Sequence, residues 1–412
     1  MFAQETNLGE IIKATGGSVR TGPFGTALAA SEYTPDGAPV ISVGEVRVGS
    51  FRITEETRRV PTSVTRRMPE YLLKAGDIVF GRKGAVDRSA LVRESEEGYF
   101  LGSDGIRLRL GTGIDAAYVA YWLQTARARG WLIRQSVGTT MLTLTQPVLE
   151  SLPVRLPDIK MQGAVARLLQ EADQLIEAYE RAISKKLAIK QGTMQELLVG
   201  RSRLPGFAGE WATRRVATFG TFLRGRGIKR DDVRTSGIPC IRYGELYTTY
   251  ADYTATTVSF VEPSVAATAL PIRSGDILFA GSGETKTEIG TSMAFMGDVP
   301  TVAGGDIIVL RGSDYDPVYM ASLLNTPEFA NQKAGGGQGD AVVHINWRVL
   351  AGLEVTVPPL SEQYAIAKVL RDADSEIAAL TNRLEATRAI KQGMMQELLT
   401  GRGRLVPKEL VA

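Results

Sequence analysis

Apolar positions along the chain follow two different rhythms, and the rhythms alternate twice. Short β-branched and apolar runs such as PVISVGEV, GDIVFG, IRLRL, GDILFA and DIIVLRG are punctuated by Gly, Pro and Asp, which predicts strands joined by turns. Helical stretches such as AAYVAYWLQTARARGWL are interspersed, so these regions read as mixed α/β. Between about Lys160 and Leu198 the pattern changes: proline is absent, and Leu169, Ala172, Ile176, Tyr179 and Ile183 are spaced by alternating threes and fours. Leu370, Ala373, Ile377, Leu380 and Leu384 repeat that spacing near the C-terminus. Such an a/d seam predicts a long helix that wants a partner at coiled-coil geometry. At 1.5 Å per residue, 35–40 residues give a rod of roughly 50–60 Å. Ser361 is the expected N-cap of the second helix, and Gly200 and Gly401 are the expected C-terminal stops.

The alternation is a tandem repeat. IKQGTMQELLVGRSRL from Ile189 and IKQGMMQELLTGRGRL from Ile390 agree at 13 of 16 positions with an offset of 201. The same offset aligns AAYVAYWLQT with PVYMASLLNT and Gly138 with Gly339, and it drifts to 199 where LKAGDIVF meets IRSGDILF. Drift of this size is what loop insertions leave in a duplicated domain. The expected organisation is a globular domain at 1–157, a helix at 158–204, a second globular domain at 205–359 and a second helix at 360–412. Each helix could pack on its own globular half, but two matching seams in one chain favour packing on each other, and an antiparallel pair is the simplest closure.

Composition narrows the function only a little. With 44% hydrophobic and 23% charged residues the chain should bury real cores. Its single cysteine, Cys240, excludes an internal disulfide and fits a reducing compartment. No secretory signal and no membrane-length apolar run is visible, so a cytoplasmic protein is expected. The net charge is +3. It divides unevenly: +3 for residues 1–157 and −3 for residues 205–359.

Three motifs together resemble one family. PPLSEQYAIAKVLRDADSEI followed by IKQGMMQELLTGRGRL, and the central KQGTMQELLVGRSRLPGF leading to Trp211, resemble the conserved regions of Type I restriction-modification specificity subunits. LGEIIKATGG, RRVATFGTFLRGRG, GDIVFGRKG and GDILFAGSG resemble segments of that family's target-recognition domains. The first copy departs from the pattern by reading LPDIKMQ where the second reads PPLSEQ. The resemblance implies two α/β target-recognition domains in tandem, separated by two long helices forming an antiparallel coiled coil with pseudo-two-fold character. It implies double-stranded DNA as the ligand, each half reading one part of a bipartite target. It also implies methyltransferase and restriction subunits as partners. S-adenosylmethionine, ATP and Mg would be held by those partners, and this chain would carry no cofactor of its own.

No catalytic signature survives inspection. GSGETKT, from Gly281 to Thr287, resembles a phosphate-cradling loop, but Thr285 stands where glycine must precede Lys286. No D/N-P-P-Y/F methyltransferase motif occurs, and His344 is the only histidine. Candidate DNA contacts are cations and hydrogen-bonding side chains near glycines, suited to phosphate oxygens and base edges. In the first copy these are Arg20, Arg82, Lys83, Arg88, Thr139 and Thr140. In the second they are Arg224, Arg226, Lys229, Arg230, Lys286, Gln338, His344 and Asn346. Gln338 and Asn346 could equally cap turns. The competing reading is a two-domain coiled-coil scaffold that binds protein partners without reading DNA.

Overall fold

The computed structural model describes residues 6–24, 27–138, 140–339 and 342–400. Two compact units emerge: one is discontinuous, running up to Glu180 and again from Asn382, and the other is the continuous stretch Arg181–Thr381. Both division points fall inside long helices, Ile159–Leu197 and Leu360–Leu398, which start 201 residues apart and are 39 residues each.

In the first unit the main sheet is antiparallel, ordered Ser18–Thr21, Gly105–Arg109, Ile78–Gly81, Ser89–Leu91. A second sheet pairs Ala38–Ile41 with Arg59–Val60 on one side and, in parallel, with Phe100–Leu101 on the other. The helix Ala116–Leu123 lies on the main sheet, and its N-cap Asp115 accepts from the Tyr118 N–H. Ile78, Phe80, Ile106, Leu108, Tyr118 and Leu123 form one core with Val165, Ala166 and Leu169 of the first long helix and Leu399 beyond the second. Each fully buried side chain of this size contributes about 1.5–3 kcal/mol.

The second unit repeats the plan with one strand more: Gly220–Arg224, Ile307–Gly312, Ile277–Ala280, Ser292–Phe295 and Tyr253–Thr254. The helix Pro317–Leu324 is capped by Asp316 as its counterpart is by Asp115. Its core joins Ile277, Phe279, Ile308, Leu310 and Tyr319 to Ile366, Ala367 and Leu370, and to Leu197 and Leu198 at the end of the first long helix.

Two buried polar devices recur in both units. The GD turn places Asp77 to close its own turn on the Lys74 N–H and to accept both Arg109 donors at 2.6 Å. Asp276 does the same with Arg273 N–H and Arg311. At the start of each long helix a buried glutamine clamps the domain. Gln162 accepts from Asp115 N–H at 3.0 Å and donates to Pro157 O, and Gln363 accepts from Asp316 N–H and donates to Pro358 O. The divergent LPDIKMQ therefore keeps the one residue that its geometry needs.

Helix starts differ from expectation. Ser361 is not a cap: the helix already includes Leu360, and the first turn closes by Glu362 N–H on Pro359 O. Proline sets that start, whereas in the first copy Asp158 accepts from Met161 N–H. Gly200 ends the first helix at φ 72°, the left-handed conformation a C-terminal stop needs. Gly401 lies outside the described residues.

Within each unit the two helical stretches run antiparallel. In the first, Lys391 pairs with Asp173 at 2.5 Å and Arg388 with Glu180 at 2.6 Å. In the second, Lys190 pairs with Asp374 and Lys186 with Glu376, both at 2.5 Å. Of the seam residues Leu169, Leu370 and Leu384 are buried, and Ala172, Ile176, Tyr179, Ile183, Ala373, Ile377 and Leu380 are half-buried. The helices pack both on globular cores and on each other, so the two packing expectations were not exclusive.

Candidate nucleic-acid interface

The same local frame builds the candidate surface in each unit. The strand Ile78–Gly81 runs into the loop carrying Arg82 and Lys83, and the strand Ile277–Ala280 runs into the loop carrying Gly281 and Ser282. A second segment docks on that loop through matching main-chain bonds: Leu144 N–H to Arg82 O at 2.8 Å, and Ile345 N–H to Gly281 O at 2.9 Å. The segment turns at Gly138 in one copy and Gly339 in the other, at φ 124° and 113°, backbone that a side chain would strain. The frame is thus duplicated, while the side chains it presents are not. Lys83 bridges to Thr143 where Ser282 pairs with His344, and Gln146 stands where the other copy has Trp347.

In the second unit Arg224, Gln338, His344 and Asn346 line one cavity of about 460 Å³ with Phe222, Trp347 and Asp306. The His344 ring is held by a 2.7 Å hydrogen bond between its Nδ1 and the Ser282 hydroxyl. Asn346 caps the helix Trp347–Gly352 through Arg348 N–H at 3.0 Å, so its carbonyl oxygen is already engaged. Trp347 is 45% exposed and lies against Phe222 at 5.9 Å between ring centroids. Arg230 lines an adjoining cavity of about 650 Å³, and Asp306 borders both. Arg226 and Lys229 are exposed nearby in sequence, on the same RGRGIKR stretch.

Lys286 is exposed, but its loop is not a phosphate cradle. The main-chain N–H groups of Glu284 and Thr285 both donate to the Glu288 carboxylate, at 2.7 and 3.0 Å. An anion already fills the place a phosphate would take.

The first unit is more spread out. Arg82 stacks over the exposed Phe24 ring at 4.4 Å, and Lys83 pairs with Asp104 at 3.0 Å. Thr140 is exposed in the docked segment, and Arg88 is half-buried beyond the loop. Strand alternation turns Arg20 away from Val19, over the Tyr71 ring at 5.6 Å, rather than onto the loop holding Arg82. Thr139 lies outside the described residues.

Sequence reasoning passed over Asp104, Asp306, Ser282, Phe222 and Trp347. LGSDGIRLRL and AGGDIIVLRG align at an offset of 202 and would have shown the two aspartates. The −3 balance of residues 205–359 is eased by one charge only: buried Asp276 and Glu245 pair with Arg311 and Arg242 of the same stretch, whereas buried Asp316 faces Arg371 outside it. Among the described residues no cluster of His, Cys, Asp or Glu is arranged to hold a metal, and no helix is long and apolar enough to cross a membrane.

Comparison with known proteins gives a consistent result. The family described as Type I restriction modification DNA specificity domain matches twice, at residues 7–188 and 208–387. The Type I restriction enzyme MjaVIII specificity subunit of Methanocaldococcus jannaschii is 22% identical over 352 residues, covering 80% of this chain and 77% of that protein. The putative MjaX specificity subunit of the same organism is 22% identical over 360 residues, 82% of this chain and 80% of that one. The crystal structure of a Type I restriction-modification S subunit from M. genitalium superposes with a TM-score of 0.61 at 13% identity, covering 96% of this chain and 95% of that one. That likeness shows the same two-domain fold.

Proposed function

The chain belongs to the family of Type I restriction modification DNA specificity domains, carried twice, and from that premise we propose that each unit reads one part of a bipartite DNA target. The observation that supports this reading is a duplicated loop frame presenting different side chains: Lys83 and Thr143 in one copy, Ser282 and His344 in the other. A shared frame fixes how each unit approaches a duplex, and different side chains let the two halves prefer different bases. Exposed Arg224, Arg226, Lys229, Arg230 and Lys286 suit phosphate oxygens, whose neutralisation releases counterions.

The long helices act as the spacer that fixes the unread gap and as the docking surface for methyltransferase and restriction subunits. This chain then performs no chemistry: adenine methylation, with S-adenosylmethionine, and ATP- and Mg-dependent restriction belong to those partners. The assembly works on chromosomal DNA in the cytoplasm.

The test is a genome-wide map of methylated adenines in the source cell, with and without this gene. A split motif of two short blocks and a fixed gap should disappear on deletion. If no adenine mark changes, the reading falls. The scaffold alternative draws on the −3 charge of residues 205–359. Duplex binding by the assembled complex separates the two, because DNA contact gives a steep loss of affinity with salt and a protein-only scaffold gives none.

A further inference from the structure

A carboxylate in a DNA-facing surface is costly, because it repels phosphates and gains nothing from counterion release. Both copies nevertheless place one at the same point. Asp104 directly precedes the strand Gly105–Arg109, and Asp306 directly precedes Ile307–Gly312. Each is pinned through its carbonyl by the loop opposite, Arg82 N–H to Asp104 O at 2.8 Å and Gly281 N–H to Asp306 O at 2.7 Å. Asp306 holds φ 57°, the one positive value at a non-glycine position among the described residues. A residue kept in that region has a backbone reason or a side-chain reason to be there. Aspartate is one of the few non-glycine residues that adopts this region, and glycine would hold the same backbone without presenting a carboxylate.

Both side chains are partly open to solvent, at 34% and 43%, and both stand beside a cation. The cation arrives from different elements: Lys83 from the loop at 3.0 Å in one copy, Arg224 from the end of a strand at 3.8 Å in the other. The aspartate is therefore the fixed partner and the cation the variable one. In the major groove a G·C pair offers acceptors at guanine N7 and O6 and a donor at cytosine N4. A cation beside a carboxylate is the complement of that pattern.

We propose that Asp104 and Asp306 are specificity-determining residues, each reading one G·C pair together with its neighbouring cation, the carboxylate accepting from the cytosine N4 amino group and Lys83 or Arg224 donating to guanine. The inference rests on the DNA-reading function above. It adds that each half of the target contains a fixed G·C pair, and it assigns the reader in each half.

The test is the adenine-methylation map of the intact complex carrying single substitutions. Asp306→Gly keeps the backbone conformation and removes the carboxylate. It should leave the first half-site intact and relax one G·C position of the second, with discrimination there falling about tenfold or more. Asp306→Asn should admit A·T at that same position, since an amide pairs with adenine. Asp104→Asn should do the same in the first half-site alone. A native bipartite motif lacking a fixed G·C pair in either half overturns the inference and leaves the DNA-reading function standing. So does a motif unchanged by Asp306→Gly and Asp104→Asn. Loss of every mark in both Asp306 variants assigns the residue a structural role instead. A map in which no mark depends on this chain overturns both.

Discussion

The Asp276–Arg311 pair lets stability be worked out from exposure. The Asp276 side chain is 3% exposed and that of Arg311 is 27%. Removing the arginine strands an ionised carboxylate in a dry site, with only the Arg273 N–H left to it at 2.9 Å. Breaking a buried pair in this way costs about 3–5 kcal/mol. Removing the aspartate strands a guanidinium that still donates to Pro271 O at 2.9 Å and reaches water. The loss there is about 2 kcal/mol, that of its charge-assisted bonds. Arg311→Met should therefore destabilise the second unit more than Asp276→Ala does. Asp276→Leu combined with Arg311→Met should recover much of the difference, because a well-packed apolar pair carries no desolvation penalty. Hydrogen exchange at the amides of Ile277–Ala280 is the suitable assay, since it reports opening of one unit without requiring the whole chain to unfold in one step. Arg311→Met should speed exchange there on the order of a hundred- to several-thousand-fold. The amides of Ile78–Gly81 in the other unit should be unchanged. A cost below about 1 kcal/mol, or a larger effect from Asp276→Ala, would refute the reasoning.

Three other perturbations have definite expected outcomes. Gln363→Leu leaves Asp316 N–H and Pro358 O without their partner and should cost about 2–4 kcal/mol, measured by urea unfolding; Gln363→Glu, which cannot donate to Pro358 O when ionised, should recover little. Lys333 is 2% exposed, donates to Gly290 O and Leu324 O, and burial pushes its ammonium down to about 7. Its folded value lies below the unfolded one, so the unfolded chain binds more protons above pH 7. Stability of the second unit should then rise with pH from about 7 toward the ordinary lysine range and fall as pH drops through 7. Lys333→Met should flatten that slope, and a wild-type profile already flat between pH 7 and 9 would contradict it. Lys190→Glu should cost about 1–3 kcal/mol by setting two carboxylates together at Asp374; adding Asp374→Lys should restore most of it in the same unfolding measurement.

The periodic parts of the molecule were readable because period and repeat are local properties. The 3,4 spacing from Leu169 and Leu370 located both long helices, and the offset of 201 holds for their observed starts. What escaped depends on pairings across long sequence separation. Nothing around Lys333 in the sequence says that it is buried beneath Gly290, and Leu132 occupies the matching place in the first unit. Ser361 is a cap by residue type, but Pro359 sets the helix start at Leu360, two residues earlier than a Ser361 cap implies. Among the site candidates, Arg224, Gln338, His344 and Asn346 converge on one cavity and Arg20 does not join Arg82, because strand alternation sends it over Tyr71. The two aspartates are legible only from the repeat, which aligns Asp104 with Asp306, because a carboxylate by type does not suggest contact with DNA.

The first unit is closed by a helix segment that the ribosome makes out of turn. The core containing Val165, Ala166 and Leu169 also contains Leu399, so the first unit cannot finish folding when its own globular residues emerge. It must wait while roughly 200 residues of the other unit are synthesised, on the order of 10–40 s at 5–20 residues per second. During that interval one flank of the first long helix is open apolar surface in a crowded cell. The order of synthesis, rather than the finished structure, is then where this chain is most exposed to aggregation, and where early capture by a partner would matter most.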